Sequence, residues 1–219
     1  MDALVRGLFI TVEGGEGAGK STQAALLATR LRDAGLQVCE TREPGGTPAG
    51  DRIRDLLLDP AAHMVPLAEL LLYEASRAEL VTKVIAPALE RGETVVCDRF
   101  FDSTTAYQAH GRGLDREMVR SLNVVATGSL VPDVTVLLAH DLDEGLARAT
   151  RGAADRMELE TRAFHARVSE GFRKVAAAEP DRVVTVDASG TPDLVAQRVW
   201  EALSALPAVR ERVPRPRPS

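Results

Sequence analysis

From residue 14 to residue 22 the chain reads Gly14, Gly15, Glu16, Gly17, Ala18, Gly19, Lys20, Ser21, Thr22. Gly14, Gly19, Lys20 and Ser21 satisfy the spacing G-x-x-x-x-G-K-[ST]. Glycines allow backbone N–H groups to close around an anion without a side-chain clash. A helix that starts at Lys20 adds the partial positive charge of its N-terminus. Lys20 is then placed to reach the β and γ phosphates of a nucleoside triphosphate, and the Ser21 hydroxyl to ligate Mg²⁺. The context agrees with this chemistry. The apolar run LFITVEG (8–14) precedes the loop, and Ala24, Leu27, Ala28 and Leu31 follow at helical spacing up to a stop at Gly35.

A second group of residues asks for a second anion. Arg42 comes at the end of the strand-like stretch LQVCETRE, Arg99 follows TVVCD, and Arg148, Arg151 and Arg156 crowd the segment RATRGAADRMELE. Arginines at strand ends beside a phosphate loop imply two phosphate-bearing substrates facing each other. No N-K-x-D base-reading motif of a GTPase is present. A motor or transporter ATPase needs partner domains for which 219 residues leave little room.

These residues need a frame, and the chain predicts one. LFITVEG, LQVCETRE (36–43), TVVCDR (94–99), VTVLLAH (134–140) and RVVTVDA (182–188) read as strands. Helices are expected from Lys20, over DRIRDLLLD, over PLAELLLYEASRAELVTKVIAPALERG with a break near Pro87, over 115–127 and over DLVAQRVWEAL. Strands alternating with helices imply an α/β fold with a parallel sheet covered on both faces. One domain over 1–207 is expected, with a Pro- and Arg-rich disordered tail at 208–219.

Composition sets the outer bounds. Hydrophobic residues are 45% and charged residues 27% of the chain, and the net charge is −5. That charge argues against broad nucleic-acid binding. No apolar run approaches a membrane span, and MDALVRG lacks the apolar stretch of a secretory signal. Cys39 and Cys97, inside strand-like runs, read as reduced buried thiols of a cytoplasmic protein.

The order VEGGEGAGKST, TREPGGT, YEASRAE, DRFFDSTTAYQ and a basic DRME segment resembles the bacterial thymidylate kinase family over residues 7–203. The resemblance implies a P-loop NTPase fold, phosphoryl transfer from ATP to dTMP with Mg²⁺, and a homodimer. It implies ATP binding by residues 14–22. It places Glu16 near the deoxyribose 3′-hydroxyl or acceptor phosphate, and Arg99 as the clamp on that phosphate. Arg77 is expected at the thymine edge, Tyr73 on the base ring, Thr104 near the base, and Tyr107 where a ribose 2′-hydroxyl would project. Arg42, Pro44, Ser103 and Gln108 complete the implied dTMP set. Asp98 is expected to hold Mg²⁺ through water, with Ser21. Residues 148–158 are expected to form a lid, with Arg151 and Arg156 among the catalytic groups.

Two positions depart from the family pattern. Phe100 stands where Tyr or His is common and cannot donate a hydrogen bond, and QAHGRG replaces Q-x-G-G-R-G, with His110 read as an exposed loop residue. Another nucleoside monophosphate kinase, a deoxynucleoside kinase and a non-catalytic nucleotide-binding regulator remain as alternatives. The set Tyr73, Arg77, Thr104 and Tyr107 disfavours the first two. The retained Asp98 and lid arginines disfavour the third.

Overall fold

A computed structural model describes residues 6–149, 155–210 and 212–213. Five strands form one parallel sheet: β1 (Phe9–Gly14), β2 (Val38–Arg42), β3 (Thr94–Asp98), β4 (Val134–Ala139) and β5 (Val183–Asp187), in the order β2-β3-β1-β4-β5. β1 is buried along its whole length, as expected of a central strand covered on both faces. β2, at the sheet edge, is half-exposed.

One core layer joins Ile10, Val12, Val136 and Leu138 of the sheet to Leu27 and Leu31 of α1 (Lys20–Asp33) and to Val195 and Val199 of α9 (Pro192–Ala205). On the other face Phe9, Val95 and Cys97 meet Leu80, Ile85 and Phe100. Cys39 and Cys97 are free thiols, the first half-buried and the second buried. No described helix is long and apolar enough to cross a membrane.

The connections carry the site. α2 (Pro48–Leu58) starts at Thr47 of TREPGGT, whose hydroxyl accepts the Gly50 N–H at 3.0 Å, and Pro48 fits the first turn because its missing N–H had no helical partner. α3 (Pro66–Leu80) runs through a π-helical turn at Val81–Ile85 into α4 (Ala86–Glu90). The expected break near Pro87 is therefore a widened turn just before it: Pro87 has no N–H, and the Ala86 N–H reaches back to the Val81 carbonyl. After β3 come α5 (Phe101–Thr104) and a second π-helical stretch, Thr105–Gly111, then α6 (Arg116–Thr127). α7 (Leu142–Ala149) and α8 (Arg162–Ala178) flank the expected lid.

Two expectations are corrected. His110 belongs to the π-helical stretch and is half-buried, because α8 approaches it through Gly171, where an added Cβ would lie 3.0 Å from His110 Cβ. The packed chain also continues past residue 207. α10 (Pro207–Arg210) buries Val209 at 1% exposure in the α1–α9 layer; residues 211 and 214–219 of the expected tail lie outside the described residues.

Candidate active site

In an open parallel sheet ligands bind beyond the carboxyl ends of the strands, where neighbouring connections diverge. Here that point lies over β1, β3 and β4, and a cavity of about 350 Å³ opens there. Of the sequence-predicted residues, Glu16, Gly17, Gly19, Lys20, Ser21, Thr22, Arg42, Pro44, Tyr73, Arg77, Asp98, Arg99, Ser103, Thr104, Tyr107 and Gln108 line it. Gly14 and Ala18 lie in the base of the loop; an added Cβ on Gly14 would meet the Leu138 carbonyl oxygen at 2.8 Å. Gly15 lines a second, smaller cavity behind the loop.

The loop is built to receive an anion. Among the described residues, no N–H of residues 15–19 meets a protein acceptor. Lys20 Nζ donates to the Gly15 carbonyl at 2.6 Å. Burial, with the Arg99 charge nearby, pushes Lys20 down to about 8, against the pull of Glu16, Asp98 and Glu13. The Ser21 hydroxyl donates to Asp98 Oδ2 at 2.5 Å, while Asp98 Oδ1 is buried with no hydrogen-bond partner among the described residues. A hydroxyl beside an unpartnered carboxylate oxygen at the phosphate loop fits a hard divalent cation that takes its other ligands from phosphate and water.

Beside the loop stands Arg99. Its φ of +69° puts a non-glycine residue in the left-handed region, a conformation that costs on the order of 1–3 kcal/mol and persists where surrounding contacts fix it. Those contacts are present. Nη1 donates to the Ser103 hydroxyl at 3.0 Å and to the Gly14 carbonyl at 3.2 Å, and Nη2 donates to Glu16 Oε1 at 2.9 Å. The Tyr107 hydroxyl donates to the same Glu16 oxygen at 2.6 Å. Burial opposes ionisation of Glu16, but Arg99, Lys20 and the Tyr107 hydrogen bond outweigh it and hold Glu16 down to about 2. The carboxylate is thus a fixed anchor for Arg99 and Tyr107.

At the far end Arg77 is 1% exposed and all five of its N–H groups have partners. Nε and Nη2 donate to Glu43 Oε2 at 2.9 and 2.6 Å, and Nη1 donates to Glu74 Oε2 at 2.9 Å and Asn123 Oδ1 at 3.0 Å. The fifth goes from Nη2 to the Thr104 hydroxyl at 2.9 Å. Thr104 accepts there and keeps its own O–H free to donate. Gln108 Nε2 donates to buried Glu69 Oε1 at 2.9 Å; a carboxylate only accepts, so the amide must present its carbonyl on the other side. Tyr73 is held neutral by burial.

The expected lid arginines divide. Arg156 does not line the cavity: its Nε donates to the Leu57 carbonyl at 2.8 Å and Nη1 to Glu69 Oε2 at 2.6 Å. It fastens the neighbouring Asp155, Met157 and Glu158, which do form a cavity wall. Arg148 sits in the last turn of α7 against the Glu144 carbonyl. Arg151 lies outside the described residues. Arg54 of α2 lines the cavity and donates to the Pro44 carbonyl at 3.0 Å. The sequence reading passed over it; the signal was its place two turns into a helix that starts at TREPGGT.

A phosphate loop between a central β1 and α1, on a five-stranded parallel sheet of this order, defines a P-loop NTPase fold. The comparisons narrow the class. A family model described as thymidylate kinase matches residues 12–199. The thymidylate kinase of Synechococcus sp. (strain JA-3-3Ab) is 54% identical over 211 residues, covering 95% of this chain and 100% of that protein. That of Deinococcus radiodurans is 54% identical over 200 residues, covering 91% and 97%. A crystal structure of thymidylate kinase from Ehrlichia chaffeensis superposes with a TM-score of 0.76 at 34% identity, covering 90% of this chain and 99% of that one. The chain belongs to the thymidylate kinase family.

Proposed function

We propose that this protein transfers the γ-phosphoryl group of ATP to dTMP, giving dTDP and ADP for nucleotide synthesis. The observation that carries the reading is one cavity lined both by a phosphate loop whose N–H groups meet no acceptor among the described residues and by a buried cluster in which Arg77 is saturated while the Thr104 hydroxyl and the Gln108 carbonyl keep hydrogen-bonding capacity. The acceptor is a phosphate monoester whose second pKa is near 6, so at neutral pH its attacking oxygen needs no general base. Alignment of two anions and relief of their repulsion suffice. Residues 14–22 hold the ATP phosphates, Arg99, Arg42 and Arg54 face the acceptor phosphate, and Glu16 keeps Arg99 and Tyr107 in place. Ser21 and Asp98 are the residues that would hold Mg²⁺, which supplies charge neutralisation between the phosphates.

Base choice follows from hydrogen-bond accounting. Arg77 can reach a base edge only by surrendering its bond to Thr104; otherwise the Thr104 hydroxyl itself donates. Either route demands an acceptor, which thymine offers as a carbonyl and cytosine replaces with an amine. The Gln108 carbonyl likewise suits a base N–H. Facing donors would leave both unpaired at a cost of about 1–3 kcal/mol or more. Tyr107, pinned by Glu16, closes the space of a ribose 2′-hydroxyl. The expected order of kcat/KM is dTMP, then dUMP, with dCMP and UMP far behind. The missing methyl of dUMP costs only about 1–3 kcal/mol. Measuring ADP release across these four nucleotides tests the reading. Equal use of dCMP removes Arg77 and Thr104 from base selection, and equal use of UMP and dUMP removes Tyr107 from the sugar.

Arg148, Arg151 and Arg156 are assigned to a lid, with Arg156 leaving Glu69 when the lid closes. Arg156→Ala is expected to lower kcat more than it raises KM for dTMP; a variant impaired only in dTMP affinity would leave Arg156 as a wall residue. The homodimer is assigned to the face of α3 and α6, where Leu67, Leu71, Val124 and Val125 are exposed between 44% and 78%. A cytoplasmic location suits two free thiols.

A further inference from the structure

The peptide between Glu16 and Gly17 has a partner that the catalytic scheme does not use. His140, immediately after β4, places Nε2 at 3.0 Å from the Glu16 carbonyl oxygen. A carbonyl accepts only, so the ring nitrogen there carries the proton. The peptide is planar and trans, so its N–H points opposite to its C=O. The Glu16 carbonyl faces His140, so the Gly17 N–H points away from that ring, and Gly17 lines the main cavity. That N–H meets no protein acceptor among the described residues.

The packing around this contact is tight. A Cβ on Gly145 of α7 would lie 1.9 Å from His140 Nε2 and 2.7 Å from the Glu16 carbonyl oxygen. A Cβ on Gly17, whose φ is +69°, would lie 2.0 Å from the Gly145 carbonyl oxygen. The loop, the His140 ring and α7 thus meet backbone to backbone. On its remaining side the ring borders the second cavity, of about 200 Å³, which Gly15, Glu16 and His165 also line.

We propose that His140 is a positioning residue for the triphosphate: it fixes the Glu16–Gly17 peptide so that the Gly17 N–H is presented to phosphate before the nucleotide arrives. This rests on reading the loop as the ATP site, and it adds a residue outside the loop and outside the dTMP pocket. Without the bond the peptide is free to turn its carbonyl toward the anion.

The test uses the full chain and the Mg²⁺ complex of β,γ-imido-ATP, titrated calorimetrically, beside dTMP titrated alone. His140→Phe keeps the ring and removes the donor. It should weaken the ATP analogue about five- to tenfold, the worth of one lost hydrogen bond, with dTMP affinity changed less than about twofold. His140→Gln, which restores an N–H donor, should recover most of the loss. Gly145→Ala, whose methyl group would press on both the His140 ring and the Glu16 carbonyl, should show the same selective loss through the contact as a whole. If His140→Phe binds the analogue like the parent while Lys20→Ala loses it, the proposal is overturned and the ATP-site reading stands. If Lys20→Ala also binds normally, the ATP-site reading falls first. Equal losses for dTMP and the analogue in His140→Phe would make the residue merely structural and overturn the proposal as well.

Discussion

Lys20→Ala should lower turnover by about 10²-fold or more, equivalent to about 3 kcal/mol of barrier. The side chain is 7% exposed and its ammonium group bonds the Gly15 carbonyl of the loop, so its removal takes a buried cation out of the phosphate loop itself. Burial and Arg99 bring Lys20 down to about 8. The charged form is the one present below that value, so kcat/KM for ATP should fall as pH rises through about 8. Steady-state rates against pH for parent and variant check both points. Near-parental turnover in Lys20→Ala, or a flat alkaline profile in the parent, contradicts the assignment.

Arg77→Met is expected to act first on stability. The guanidinium is paired with Glu43 and Glu74, and the three side chains are 1%, 3% and 7% exposed. Removing one member of a buried ionic cluster leaves the others uncompensated, at a cost of about 3–5 kcal/mol. For a chain of this size that corresponds to a fall in Tm of roughly 10 °C. Adding Glu43→Gln and Glu74→Gln to Arg77→Met should return part of the loss, because the stranded charges are gone. Thermal unfolding of the single and triple variants measures this. A single variant that melts with the parent would mean that the carboxylates are solvated or protonated and that Arg77 is not their counter-charge.

Much of this was legible in the chain. Four of the five strands are largely apolar runs bounded by turn residues, β2 (VCETR) being the mixed edge strand, and the loop motif sits between a strand and a helix as its chemistry requires. Asp98 and Arg99 could be placed because they end such a run. What could not be read was anything that depends on which segments meet. Arg77 draws its partners from residues 43, 74, 104 and 123, and only Glu74 is a helical neighbour. Arg156 looked like a free lid arginine because the buried Glu69 that holds it lies 87 residues away. The π-helical stretch at 105–111 has no distinctive periodicity, so His110 looked like a loop residue. His140 ends a strand with no motif around it, and its role appears only when β4 is set beside β1.

The left-handed backbone at Arg99 and its ion pair with Glu16 pull on stability in opposite directions. Glycine suits that backbone best, but glycine there would leave the largely buried Glu16 carboxylate without its counter-charge. Stability-guided engineering that relieves the φ at residue 99 therefore has to supply a new partner for Glu16.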